Sequence, residues 1–185
     1  MKKIVLWMLA ALCMVSLASC QPVDPGYENT VAYAGWSDDA SITEGALNRD
    51  LLQNGNGEHL PIFKLDTVGD LDRFKKAYGD VLTMDQGYNQ YGSLEERLSQ
   101  TQWDRESFFA QNTLLVVYVP TNSGSYRFVV GDVSILDGAM RVYVEQKNAT
   151  EGIVVTDDMA GWFILVGIPD KDARECTSFD AVLVK

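Results

Sequence analysis

Cys176 and His59 are the residues in this sequence whose types suit nucleophilic catalysis, and neither stands in a motif that would activate it. A thiol hydrolase needs its cysteine and histidine brought together, with a third group orienting the base. His59 follows a glycine-rich loop and precedes a strand, where a solvated histidine is ordinary. A hydrolase using Cys176 is therefore the remotest function considered. Asp157 and Asp158 stand side by side in a loop and offer oxygen ligands to a cation. No Asp-x-Asp-x-Asp-Gly pattern surrounds them, and aspartates that cap loop backbone are the better reading. Structural zinc asks for about four Cys or His ligands, so no metal and no cofactor is expected. Tyr88, Asn89, Gln90 and Tyr91 form a polar aromatic segment that can present ring faces and amides to a glycan or peptide. The competing reading, tyrosines covering the edge of a core, is the preferred one.

The remaining reactive position is Cys20, and its chemistry is addressed to a membrane. Lys2 and Lys3 precede an apolar stretch from Ile4 to Ala18 that holds no charge. This is the length of a signal-peptide core and short of the roughly 20 residues of a comfortable membrane span. It ends in Leu17-Ala18-Ser19-Cys20, the pattern of a lipoprotein lipobox. The small residues let extended backbone enter a peptidase site, and the thiol accepts a diacylglyceryl group. Cleavage before Cys20 is expected, leaving residues 1–19 as signal peptide and Cys20 as a lipidated N-terminus. Two or more acyl chains hold a membrane firmly, at about 0.8 kcal/mol per buried methylene.

Removal of Lys2 and Lys3 takes the formal charge from −11 to −13, since no acidic residue lies in the first nineteen. Such a balance argues against nucleic acid as a partner and against general adhesion to anionic headgroups. Of the three cysteines, Cys13 leaves with the signal and Cys20 is acylated. Cys176 then has no intramolecular partner and reads as a buried, inert small hydrophobe. The fold must stand on its apolar core.

The elements that position these residues follow from pattern. Residues 20–30 hold two prolines and a glycine and read as the lipidated N-terminus and a tether. One domain is expected over 31–185, with Val31, Tyr33 and Trp36 as candidates for its core and a loop at Asn54-Gly55-Asn56-Gly57. A strand is expected over Leu60–Leu65, its Pro61 near the start. Thr67 with Asp70 is a weak capping box, after which Leu71, Phe74 and Tyr78 recur at helical spacing and Gly79 offers a stop. Ser93 with Glu96 is a cleaner box, with Leu94 and Leu98 one turn apart, and Asp104 is expected to cap a turn carrying Phe108 and Phe109. Thr113–Val119 and Trp162–Ile168 are apolar on both faces and read as covered central strands, ended by Pro120 and Pro169. Gly161 suggests close backbone approach, and Phe179–Val184 a last strand. Asp137-Gly138 predicts a two-residue type I′ hairpin between Tyr126–Leu136 and Ala139–Gln146. That turn sets Ile135 against Met140 and Val133 against Val142. Before Gly131 the apolar residues change parity, to Tyr126, Phe128 and Val130, which predicts a β-bulge at Gly131. The whole reads as α+β, an antiparallel β-sheet with two or three short helices packed on it.

Four segments in order carry a resemblance: Leu60-Pro61-Ile62-Phe63; Phe108-Phe109 with Asn112-Thr113-Leu114; Ser123-Gly124-Ser125 with Arg127; and Thr156-Asp157-Asp158-Met159-Ala160-Gly161-Trp162-Phe163. Over about residues 31–185 the chain resembles a group of lipoproteins of clostridia and related gut Firmicutes. Its strand-rich half, about 105–185, is similar to the C-terminal domain of PrcB, the accessory lipoprotein of the dentilisin surface-protease complex of oral spirochaetes. The chain has Asp157 where cysteine is frequent in that group, so no cysteine role carries over. The resemblance supplies no catalytic residue. It implies a non-catalytic accessory or binding domain, anchored to the extracytoplasmic face of a membrane and partnered by another envelope protein such as a protease. A surface lipoprotein that binds a glycan or peptide through Tyr88, Asn89 and Tyr91 is the alternative.

Overall fold

The computed structural model describes residues 26–35, 40–54, 57–82, 92–147 and 159–184. In chain order their elements are β1 (Asn29–Tyr33), α1 (Ala40–Gly45), α2 (Arg49–Asn54), β2 (Ile62–Leu65), α3 (Val68–Leu82), α4 (Leu94–Thr101), α5 (Glu106–Phe109), β3 (Asn112–Thr121), β4 (Phe128–Leu136), β5 (Ala139–Gln146), β6 (Ala160–Pro169), α6 (Asp170–Arg174) and β7 (Ser178–Val184). The fold is α+β, with the strands divided between two sheets.

The two strands without a polar face lie side by side. β3 and β6 pair antiparallel along their full length at the centre of a four-stranded sheet ordered β1-β6-β3-β2. Leu114, Val116 and Tyr118 of β3 face the helices, with Phe163 and Leu165 of β6, while Leu115, Val117 and Val119 face the second sheet with Trp162, Ile164 and Val166. Each fully buried aliphatic side chain contributes about 1.5–3 kcal/mol, so a central strand covered on both faces gathers twice what a half-exposed one can. Pro120 does not end β3, which continues to Thr121. Tyr118 N donates to Pro61 O at 2.9 Å, and Pro120, two residues on, points its missing donor to that same side, beyond the last β2 pair at Ile62–Val117. No ladder bond is lost there.

The second sheet is ordered β4-β5-β7 and packs on the first through an apolar layer that includes Phe128, Val130, Met140, Val142, Val144 and Ala181. The hairpin is the one expected: Ile135 pairs with Met140 and Val133 with Val142. Asp137 and Gly138 have φ of 50° and 74°, the left-handed pair a type I′ turn demands. The register slips between Val130 and Asp132, so the bulge falls at Gly131 and returns Phe128 and Val130 to the core. β7 runs parallel to β5, an arrangement that α6 and its flanking turns make possible and that the antiparallel expectation did not include.

Helices cover the outer face of the first sheet. In α3, Thr67 Oγ1 accepts from Asp70 N at 3.0 Å, and the Asp70 carboxylate accepts from Asp66 N at 3.2 Å. Leu71 and Phe74 are buried beneath the helix. Gly79 does not stop it; α3 continues to Leu82, since a glycine inside a helix costs only about 1 kcal/mol. The Ser93–Glu96 capping box of α4 is complete, and Leu94 and Leu98 are buried. Asp104 caps nothing: Arg105 takes the N-cap of α5 without a side-chain bond, although Phe109 is buried as expected. α1 and α2 occupy the stretch that showed no periodicity, and with α6 they raise the helices to six among the described residues. The body also begins earlier than residue 31. Tyr27 packs against the inter-sheet core and β1 pairs with β6 from Asn29.

Candidate functional site

Cys20, Tyr88, Asn89, Tyr91, Asp157 and Asp158 lie outside the described residues. Within them, the hydrogen bonds of Cys176 and His59 run to different partners. Cys176 follows α6 with 9% of its surface exposed, and its thiol donates to Asp172 O at 3.3 Å. Burial raises its pKa, and the nearby charges of Glu175 and Asp172 raise it further. The thiolate that a nucleophile requires is thereby disfavoured.

His59 belongs to a polar cluster that local pattern did not expose. Asp180, on β7 and 6% exposed, is its centre. The Oδ1 atom accepts from His59 Nδ1 at 2.9 Å, from Asn48 Nδ2 at 3.0 Å and from its neighbour Ala181 N at 2.9 Å. Arg141 Nε donates to Oδ2 at 3.1 Å. A carboxylate only accepts, so His59 Nδ1 is the donor in this contact. Asn48 also donates to Leu60 O at 2.9 Å and accepts from Ile62 N at 3.3 Å. Around it the chain changes sheets. His59 bridges to Val182 and Leu60 N donates to Ala181 O at 2.8 Å, while from Ile62 onward the same segment pairs with β3. Pro61, with no N–H to place, stands at the crossing. The one hint in the sequence was Asp180 itself, a charge inside the apolar run Phe-Asp-Ala-Val-Leu-Val. An Asp–His pair orients a base, but among the described residues no hydroxyl or thiol hydrogen-bonds to His59. What the cluster does is join β7, β5 and the start of β2.

Two of the segments that carry the sequence resemblance meet at one end of the sandwich through Arg127 and Trp162, while Phe108, Phe109 and Asn112 lie at the other end, where Asn112 pairs with Pro169. The Arg127 guanidinium lies 5.1 Å from the Trp162 ring centroid, and its Nη1 donates to Gly124 O at 2.6 Å and Tyr126 O at 2.7 Å. Tyr33 meets Trp162 edge-on at 5.3 Å. Trp162 is 2% exposed, a core residue rather than a contact surface. Beside it Ala34 N donates to Gly161 O at 2.9 Å, and a Cβ on Gly161 would collide with Gly35 O, the close approach its position implied.

No family model, curated protein or solved structure matches the chain. Its own geometry therefore has to carry the functional argument. Among the described residues no three His, Cys, Asp or Glu side chains are placed to hold a metal ion, and no described helix is long and apolar enough to cross a membrane. A groove of about 260 Å³ opens between α3 and β2, walled by Phe63, Phe74 and Tyr78 with Leu47 at its rim. The three rings pack edge-on or tilted against one another with centroids 5.0–5.2 Å apart, and the volume falls below the range of about 300–1,000 Å³ usual for small-molecule sites.

Proposed function

We propose that this chain is a lipid-anchored lipoprotein of the extracytoplasmic membrane face, whose α+β body is a non-catalytic accessory or binding domain for another envelope protein. The observation that carries the reading is the charged and apolar leader closing in Leu17-Ala18-Ser19-Cys20, seven residues ahead of Tyr27. Burial of the Cys176 thiol, and the engagement of His59 by Asp180, support a non-catalytic role. The resemblance to a protease-complex accessory subunit suggests a surface protease as the partner class.

Crosslinking in native membranes, followed by affinity capture of the full lipoprotein and mass spectrometry, tests the partner. A stoichiometric envelope protein that is degraded when this chain is deleted is the expected result. Reproducible capture of nothing, with every envelope protein stable in the deletion strain, would overturn the accessory role and favour a glycan or peptide ligand at Tyr88, Asn89 and Tyr91.

A further inference from the structure

We infer that one end of the sandwich, formed by Tyr27, α6 and the β4–β5 turn, lies against the lipid surface, and that the Arg127–Trp162 end faces outward. This rests on the lipid-anchor reading of Cys20 and adds to it which surface the anchor presents. Three elements meet at the inner end. Tyr27 Oη donates to Asp172 Oδ2 at 3.2 Å, and Gly167 N donates to Glu28 O at 2.9 Å, so the chain enters the domain beside α6. Thr177 N donates to Gly138 O at 2.8 Å, which brings the β4–β5 turn to the same place.

Magnitudes then restrict the orientation. From Cys20 to Tyr27 the chain advances seven residues, a reach of at most ~25 Å. β3 and β6, ten residues each, separate the two ends by about 30 Å. With Tyr27 docked, an inverted domain would need more chain than the tether contains.

The inner end also has the chemistry of a lipid interface. Leu136, at 72%, is the most exposed large hydrophobic among the described residues, and Ile135 adjoins it. Lys171 and Arg174 of α6, with side chains 80% and 79% exposed, are paired with Asp172 at 4.0 Å and Asp170 at 2.8 Å, and Asp137 and Glu175 are exposed beside them, so charge does not drive this contact. An exposed apolar tip at the point where the anchored chain enters suits the boundary between headgroups and acyl chains. Exposed apolar side chains occur elsewhere, as at Met159 and Leu47, but the anchor enters the domain at the Leu136 end.

The test uses the mature lipoprotein in phosphatidylcholine–phosphatidylglycerol vesicles that carry a headgroup nitroxide lipid. A fluorophore is attached in turn through Leu136→Cys, Arg174→Cys and Asn122→Cys, each in a Cys176→Ala background. Arg174→Cys keeps the test readable if a label at the turn disturbs it. We expect the probes at 136 and 174 to be quenched at least about twofold more than the probe at 122. Vesicle flotation reports the anchor separately. Protein that floats with equal quenching at all three sites, or with the strongest at 122, overturns the orientation alone. Protein that does not float overturns the anchor on which it rests.

Discussion

Asp180 accepts four hydrogen bonds while almost wholly buried, and it therefore governs the junction of the two sheets. Replacing it by alanine would leave Arg141 Nε and His59 Nδ1 without their acceptor and take from the Asn48 amide one of its two. Arg141 is itself half-exposed, so the loss is set by the hydrogen bonds to the carboxylate, at about 1.5–3 kcal/mol. Asp180→Ala is expected to lose stability of that order in urea unfolding, and a loss below about 1 kcal/mol would contradict the role given to the cluster. Tyr27 and Cys176 make a second prediction at this scale. Burial raises the pKa of both, with the Asp172 charge as a further cause in each. An acid whose pKa is raised on folding stabilises the fold below its unfolded value, about 8.5 for a thiol and 10 for a phenol, and loses that contribution as pH rises through the folded value. Stability should thus fall as pH rises above about 8.5, and further above about 10. Tyr27→Phe combined with Cys176→Ala should flatten the decline in thermal melts. An equal slope in the double variant would show that neither group controls it.

The elements reveal how far the sequence could be read. Central β3 and β6 announced themselves because burial on both faces removes alternation altogether. The parity change between Val130 and Val133 located the bulge, because side chains in a strand reverse faces with every residue. Deleting Gly131 would close the ladder to a regular one, because Val130 opposite Val144 would be followed directly by Asp132 opposite Tyr143, and the apolar residues on both sides would keep the core face. The deletion should therefore leave unfolding cooperative and cost no more than about 1–2 kcal/mol, and a variant that no longer unfolds cooperatively would contradict the reading of Gly131 as the one extra residue between two correctly faced halves. Other features left no local trace. Alternation tells which face of a strand is buried but not which sheet the strand joins, so the division into two sheets and the parallel β5–β7 pair were illegible. β1 has only five residues and pairs with β6 more than a hundred positions away. Asn48 and Asp180 are separated by 132 residues. Their partnership belongs to tertiary structure alone. At α5 the cap expected of Asp104 failed because the helix begins one residue later, at Glu106, where a four-residue turn is held by packing of Phe109. Of the candidate site residues, Cys176 took the buried place read for it from composition. His59 proved to be a structural residue, whose partners are distant in sequence.

At the scale of the molecule the described residues form three layers. Helices cover one face of the first sheet and the second sheet covers the other, so the core needs no disulfide. Cleavage as proposed would take the formal charge to −13, and the exposed Leu136 and Ile135 lie at the end where the proposed tether would enter. Everything proposed about location and partner depends on Cys20. The most direct measurement is mass spectrometry of the N-terminal peptide of the protein extracted from membranes. The account predicts a chain that begins at Cys20, its sulfur carrying a diacylglyceryl group, with Cys20→Ala left uncut and unlipidated. A mature chain that starts at another residue, or at Cys20 with a free thiol, would contradict it.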